Sequence, residues 1–156
     1  MFRKMRRFKQ QQSEEVCVEL LKSQPRGVLA VHGEDGYPYA LPIDYIYLDG
    51  KIYFHCAREG HKIDALKADN RVSFCVYDEG YRREGEWSLN ITSVVIFGRI
   101  RFITESDEAE RTVRALGMKF SPTEEYVEEE IRRDLARVQM LELTIDHMTG
   151  KLVNES

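Results

Sequence analysis

Cysteine, proline and tryptophan are scarce: three, four and one in 156 residues. The cysteines, Cys17, Cys56 and Cys75, are too few and too scattered for a disulfide framework, and they point to a reducing compartment. No apolar run approaches the length of a membrane span. No signal-peptide-like apolar stretch follows the start, so a cytoplasmic location is expected. Neither sign of charge dominates. Lys and Arg number 23 against 27 Asp and Glu, a net charge of −4, which gives no general attraction to nucleic acid or to an anionic membrane. Repeats, linkers and low-complexity segments are absent, as are a Ser-His-Asp order, a P-loop and a GxGxxG.

What is there reads as one domain over 1–156, with 42% apolar and 32% charged residues and length enough to bury a core unaided. Residues 1–12 carry Arg3, Lys4, Arg6, Arg7 and Lys9, which read as a solvated basic arm lying on the protein or on a second subunit, with a nucleic-acid arm as the alternative that the acidic remainder disfavours. Ser13 caps a helix with the i,i+4 pairs Val16–Leu20 and Cys17–Leu21, ending before Pro25. Gly27–His32 is a buried strand and Gly33–Gly36 a turn. Tyr37–Leu48 is a strand to which Pro38 and Pro42 give an edge, a bulge or a gap. Asp49-Gly50 turns the chain into the strand Lys51–Ala57. A helix from Gly60 to about Asp69 precedes the strand Arg71–Tyr77 and a polar loop, Asp78–Asn90, that carries Trp87.

Thr92–Thr104 is a long strand with Val94, Ile96, Ile100 and Phe102 on one face and Arg99 and Arg101 on the other. Ser106 opens a helix with the stripe Ala109, Val113, Leu116. Ser121-Pro122-Thr123-Glu124 starts another, with Ser121 as cap and the stripe Val127, Ile131, Leu135, Val138. A last strand covers Gln139–Ile145, and the end is polar after Thr149-Gly150-Lys151. Six strands joined mostly by turns, with four helices outside them, predict an α+β fold built on an antiparallel barrel.

One stretch carries more chemistry than the rest, Tyr53 to Lys67. Ile52, Phe54 and Cys56 fall on one strand face, Tyr53 and His55 on the other. Gly60 breaks direction, and Ile63 and Leu66 begin a helical stripe. At the helix entrance the free N–H groups and the dipole favour an anion, and His61 and Lys62 stand there. Strand, turn, helix N-terminus and lysine make up a phosphate cradle. The plain alternative is a turn that holds a lysine and binds nothing.

The order of segments resembles a known family. Gly36-Tyr37-Pro38-Tyr39-Ala40-Leu41-Pro42, Ile52 to Lys62, Asp64-Ala65-Leu66-Lys67 with Asn70-Arg71-Val72, Ser93 to Arg99 and Thr149-Gly150-Lys151 are similar to the FMN-binding split β-barrel proteins related to pyridoxamine 5′-phosphate oxidase. The branch that includes the 5-nitroimidazole resistance proteins looks nearest. The resemblance implies a homodimer with FMN at the subunit interface. It puts the phosphate at His55, Cys56, Gly60, His61 and Lys62, and the main chain of Pro42, Ile43, Asp44 and Tyr45 against the ring. Ser93 would come from the partner subunit. It further implies an oxidoreductase with a small-molecule acceptor and NADH or NADPH as donor. The alternative is a module that stores or senses flavin.

The chain also departs from the oxidase pattern. His61 stands where that branch has arginine, Cys56 and Gly60 where it has hydroxyls, and no Trp and Arg pair closes the C-terminus. Oxidation of pyridoxamine phosphate is therefore the weaker expectation. His55 is the candidate for work beyond cofactor binding, against a reading as a strand histidine that fixes the turn. Cys56 reads as a packed side chain, Trp87 as a loop anchor or interface residue, Arg99 and Arg101 as a solvated face, and His147 as inert. No metal site is expected, because His55 and Cys56 point to opposite sides of a strand.

Overall fold

The computed structural model describes residues 1–121 and 123–155. Eight strands form one antiparallel sheet: β1 (Gln11–Gln12), β2 (Arg26–His32), β3 (Pro38–Asp44), β4 (Ile46–Leu48), β5 (Lys51–Ala57), β6 (Arg71–Tyr77), β7 (Leu89–Phe102) and β8 (Val138–Glu155). Around it lie α1 (Glu14–Ser23), α2 (His61–Ala68), α3 (Ser106–Phe120) and α4 (Glu124–Asp134). The strand order is β3-β2-β6-β7-β8-β5-β4, with β1 added beside β8. β3 and β4 are thus the two edges of the sheet, yet only Tyr45 separates them in the chain. The sheet has to curl until its edges nearly meet, which makes a split barrel.

Tyr45 sits at that seam with none of its surface exposed. Its hydroxyl donates to the Leu21 carbonyl at 2.7 Å, and its ring meets Phe74 edge-on. The core inside the curl joins Leu29, Phe54, Phe74, Ile96, Leu141 and Leu143, all fully buried, with Leu20 and Leu21 of α1 closing one end. A second, smaller cluster of Tyr53, Ile103, Leu116 and Met140 lies on the other face of the sheet, under α3. A fully buried Leu or Phe side chain contributes about 1.5–3 kcal/mol, so the first cluster alone outweighs any single polar contact in the molecule.

Several sequence expectations need correction. Eight strands replace six, because β1 pairs with β8 and because Tyr37–Leu48 is cut in two. The cut is at Tyr45 and not at the prolines: Pro38 and Pro42 pair in register with His32 and Val28, and an edge strand tolerates a residue without an N–H. The last strand runs to Glu155, well past Ile145, with Asp146 as the extra residue of a bulge opposite Phe97 and Gly98. Thr149-Gly150-Lys151 is therefore strand. A β-carbon on Gly150 would come within 2.3 Å of the Cys17 sulfur, so the glycine is what lets α1 pack on β8. α4 is capped by Thr123, whose hydroxyl accepts from the Tyr126 N–H, and not by Ser121; Pro122 lies outside the described residues. α3 does open at Ser106, as expected, and its cap is the Glu105 carboxylate, which accepts from the Asp107 and Glu108 N–H groups.

Candidate functional site

The expected strand, turn and helix entrance are present. β5 ends at Ala57, the chain turns through Arg58, Glu59 and Gly60, and α2 begins at His61. Gly60 holds φ +130° and ψ 173°, a combination open to glycine alone, and a β-carbon there would meet nothing within 4 Å. No side chain caps α2, and the first backbone acceptor used is Gly60 O, which takes the Asp64 N–H at 3.1 Å. The N–H groups of His61, Lys62 and Ile63 are left pointing out of the helix. Lys62 is half-buried and, among the described residues, forms no ion pair. Its charge reaches Cys56: burial pushes the Cys56 thiol up, and Lys62 works against that rise. Cys56 is half-buried, and its sulfur donates weakly to Gln139 O at 3.7 Å.

The histidines part company. His61 stacks on Tyr39 of β3 with ring centroids 4.2 Å apart. His55, on the outer face of β5, is exposed and faces a cleft of about 490 Å³ between the sheet and the α3–α4 pair. Val113, Leu116 and Phe120 of α3 form one wall; Val127 and Ile131 of α4 with Leu135 form the other. These residues belong to the two helical stripes seen in the sequence. Polar groups reach the cleft from Asp44 at the end of β3 and from Tyr126, Glu130 and Asp134 of α4, and no lysine or arginine lines it. Each carboxylate is held from outside the cleft. Asp44 accepts from Arg26 at 2.6 Å, Glu130 from Arg133 at 3.3 Å, and Asp134 from Arg133 at 2.7 Å and Arg137 at 3.2 Å.

The remaining expected contacts divide. Pro42 is exposed, Ile43 buried and Asp44 half-buried at the lip of the cleft. Tyr45 is committed to the core, and its carbonyl is engaged by the Lys119 ammonium at 2.8 Å. Ser93 lies opposite Lys151 of β8, whereas His55 lies opposite Met140. At about 3.3 Å per residue those positions are roughly 35 Å apart measured along β8.

Two polar centres were not foreseen. Lys119 reaches back from the last turn of α3 to Gln24 O at 2.7 Å and Tyr45 O at 2.8 Å, with its ammonium 3.9 Å from the centre of the Tyr45 ring. Burial lowers its pKa to about 8, against the pull of Asp44. The signal was a lysine three residues after Leu116, on the buried stripe of its helix. The second centre is Glu142, buried under α3. It accepts from Arg101 at 2.8 Å, Lys51 at 3.0 Å and Tyr53 at 3.1 Å. Burial alone would raise its carboxyl; the bonds from Arg101, Lys51 and Tyr53 with the charge of Arg101 outweigh that and bring it to about 2. Arg101 is shared with Glu108 of α3, and Arg99 pairs with Asp146 at 2.8 Å, so neither arginine is merely solvated. His147 stacks on Phe2 of the basic arm, ring centroids 4.7 Å apart. Trp87 is 85% exposed, so it anchors nothing within the chain.

With this geometry in hand, similar proteins can be placed beside it. A family model described as pyridoxamine 5′-phosphate oxidase matches residues 13–152. No curated protein matches the sequence. A proposed 5-nitroimidazole antibiotic resistance protein from Bacteroides thetaiotaomicron superposes with a TM-score of 0.79 at 17% identity, over 92% of this chain and 86% of its own. An FAD-binding protein from Mesorhizobium loti gives 0.70 at 22%, over 92% and 96%. An FAD and heme binding protein from Mycobacterium smegmatis gives 0.73 at 26%, over 92% of this chain and 73% of its own. These likenesses agree with the split barrel described above.

Proposed function

Because this chain belongs to the pyridoxamine 5′-phosphate oxidase family, we propose that it binds a flavin, FMN, and passes electrons from it to a small acceptor of the nitroaromatic kind. The observation that carries the reading is the uncapped start of α2, with three N–H groups, a glycine-only bend and Lys62 beside it. The choice of FMN follows from the fit: a terminal phosphate dianion matches one lysine and one helix entrance. The helix end contributes about 0.3–2 kcal/mol and a charged hydrogen bond about 1.5–3 kcal/mol. Structures named for FAD binding support the flavin class. A ligand of about 31 heavy atoms at about −0.3 kcal/mol per atom reaches roughly −9 kcal/mol, a sub-micromolar affinity.

A bound flavin would supply the hydride and electron transfer. The chain's own residues then have limited duties. Lys62, His61 and the Gly60 bend hold the phosphate. Main chain at Pro42 to Asp44, on an edge strand, offers donors and acceptors to the ring. His55, facing the cleft, gives a proton to the reduced acceptor. We take the working unit to be a homodimer in which Ser93 comes to the flavin from the second copy, as the resemblance implies, and we place it in the cytoplasm. Family membership settles the fold and not the substrate. A cleft without lysine or arginine argues against a phosphorylated substrate such as pyridoxamine phosphate.

The test is direct. Purified protein titrated with FMN shows a perturbed visible spectrum and saturable binding, and Lys62→Ala weakens it by about 10–150-fold, the equivalent of one charged hydrogen bond, with the fold intact. Unchanged affinity in Lys62→Ala would move the phosphate elsewhere. Stopped-flow reduction by NADH or NADPH then separates an oxidoreductase from a flavin store.

A further inference from the structure

We propose that the α3–α4 cleft beside His55 admits a flat apolar molecule that is neutral or cationic and turns away carboxylates and phosphates. This deepens the flavin reading and rests on it for its purpose, though not for its test. The cleft is separate from the cradle: none of Gly60, His61 and Lys62 lines it, and only His55 and Asp44 of the residues expected to meet a flavin do so. At about 490 Å³ it falls within the range of ligand pockets, roughly 300–1,000 Å³.

Its chemistry is lopsided. The walls are the side chains of Val113, Leu116, Val127 and Ile131, which suit a ring. The charged groups at the lining are the carboxylates of Asp44, Glu130 and Asp134. Arg26, Arg133 and Arg137 pair with them and neutralise them in part, but none of the three arginines lines the cleft. An anion would have to come up against like charge over apolar walls that supply no counter-ion. A neutral or cationic ring meets no such barrier, and His55 at the floor offers it a ring nitrogen for a hydrogen bond. Position gives the selection a use. His55 faces the cleft two residues before β5 ends at Ala57, and α2 starts after a three-residue turn, so along the chain the cleft lies a few residues from the cradle. A dinucleotide donor, with its phosphates, has to approach from another side.

Benzamidinium, benzamide and benzoate share one ring and one planar substituent and differ in charge, so they read the selection without reference to turnover. Binding is followed by amide chemical shifts of the labelled protein, with and without FMN. Benzamide and benzamidinium are expected to shift the amides of Leu116, Val127 and Ile131, with benzoate at least tenfold weaker. The pair Glu130→Gln and Asp134→Asn, on the outer helix, brings benzoate to within a few-fold of benzamide. Ile131→Trp, filling the cleft, removes binding of all three. Equal binding of benzoate, no binding of any of the three at millimolar concentration, or benzoate still excluded from the double variant overturns the proposal. The charge variants decide it even if Ile131→Trp fails to fold. Selection intact in a protein that never takes up FMN would sink the flavin reading alone; FMN uptake without selection would sink this one alone.

Discussion

Replacing Glu142 by Gln tests the polar centre on the outer face of the sheet, which joins β5, β7 and β8 and which Arg101 links to Glu108 of α3. The carboxylate is 4% exposed and takes hydrogen bonds from Arg101, Lys51 and Tyr53. Its pKa falls from 4.5 to about 2, a drop worth about 3 kcal/mol. Lys51 and Arg101 keep 41% and 50% of their side-chain surface in water, so screening reduces this to about 2–3 kcal/mol. The sign follows from the depressed value: the contribution is complete above the unfolded value near 4.5 and is lost as pH falls toward 2. Urea unfolding at a series of pH values should therefore find Glu142→Gln less stable than the parent by about 2–3 kcal/mol at pH 7. The gap should close between about pH 5 and 2, where the parent's own carboxyl is protonated. A gap that is absent at pH 7, or that stays constant down to pH 2, refutes the idea that ionisation of Glu142 holds this contact.

Gly60→Ala forces a β-carbon onto a backbone at φ +130°, at a cost of about 1–3 kcal/mol of strain; thermal melting should fall and FMN titration weaken together, and an alanine variant that binds as the parent does would show the bend is not needed. Lys119→Met leaves the Gln24 and Tyr45 carbonyls without their donor, and a loss of about 1–3 kcal/mol is expected in denaturant unfolding at pH 7. Because the folded pKa of Lys119, about 8, lies below the ordinary 10.5, the parent gains stability from this residue as pH rises from 8 toward 10.5, and the variant should lack that gain.

What could be read in the sequence was whatever local spacing decides. Gly60, His61 and Lys62 sit within a few residues of one another, so strand, bend and helix entrance follow from chain stiffness and period alone. The stripes of α3 and α4 were equally plain, although not the cleft between them, which depends on where two helices diverge. Distance in the chain hid the rest. Pro38 and Pro42 left an edge, a bulge or a gap open for their strand; it is an edge, and the break falls at Tyr45, whose hydroxyl bonds the Leu21 carbonyl and whose own carbonyl takes Lys119. Glu142 stands between Leu141 and Leu143 and reads as the wet position of an alternating strand. It is buried because α3, more than 20 residues earlier, lies over it. The tail of β8 was missed because Asp146, His147 and Thr149 look like a polar end, and only the register against β7 makes them strand.

The barrel and the turn answer to different forces, and that separation is what makes the functional tests readable. Leu29, Phe54, Phe74, Ile96, Leu141 and Leu143 are sealed inside the curl, and the long β7–β8 pairing runs on through the whole of β7 without reference to the Ala57–His61 bend. Gly60 touches nothing beyond its neighbours, and Lys62 lies outside the core cluster. A change at Lys62 therefore reports on what the bend holds and leaves the scaffold alone. The same alternation governs β5 itself: Phe54 and Cys56 face the core while Tyr53 and His55 face outward. Two strand positions side by side thus serve the barrel and the cleft without competing. Of the expected cradle residues only His55 also lines the cleft, so the walls contributed by α3 and α4 can be altered with Gly60, His61 and Lys62 untouched.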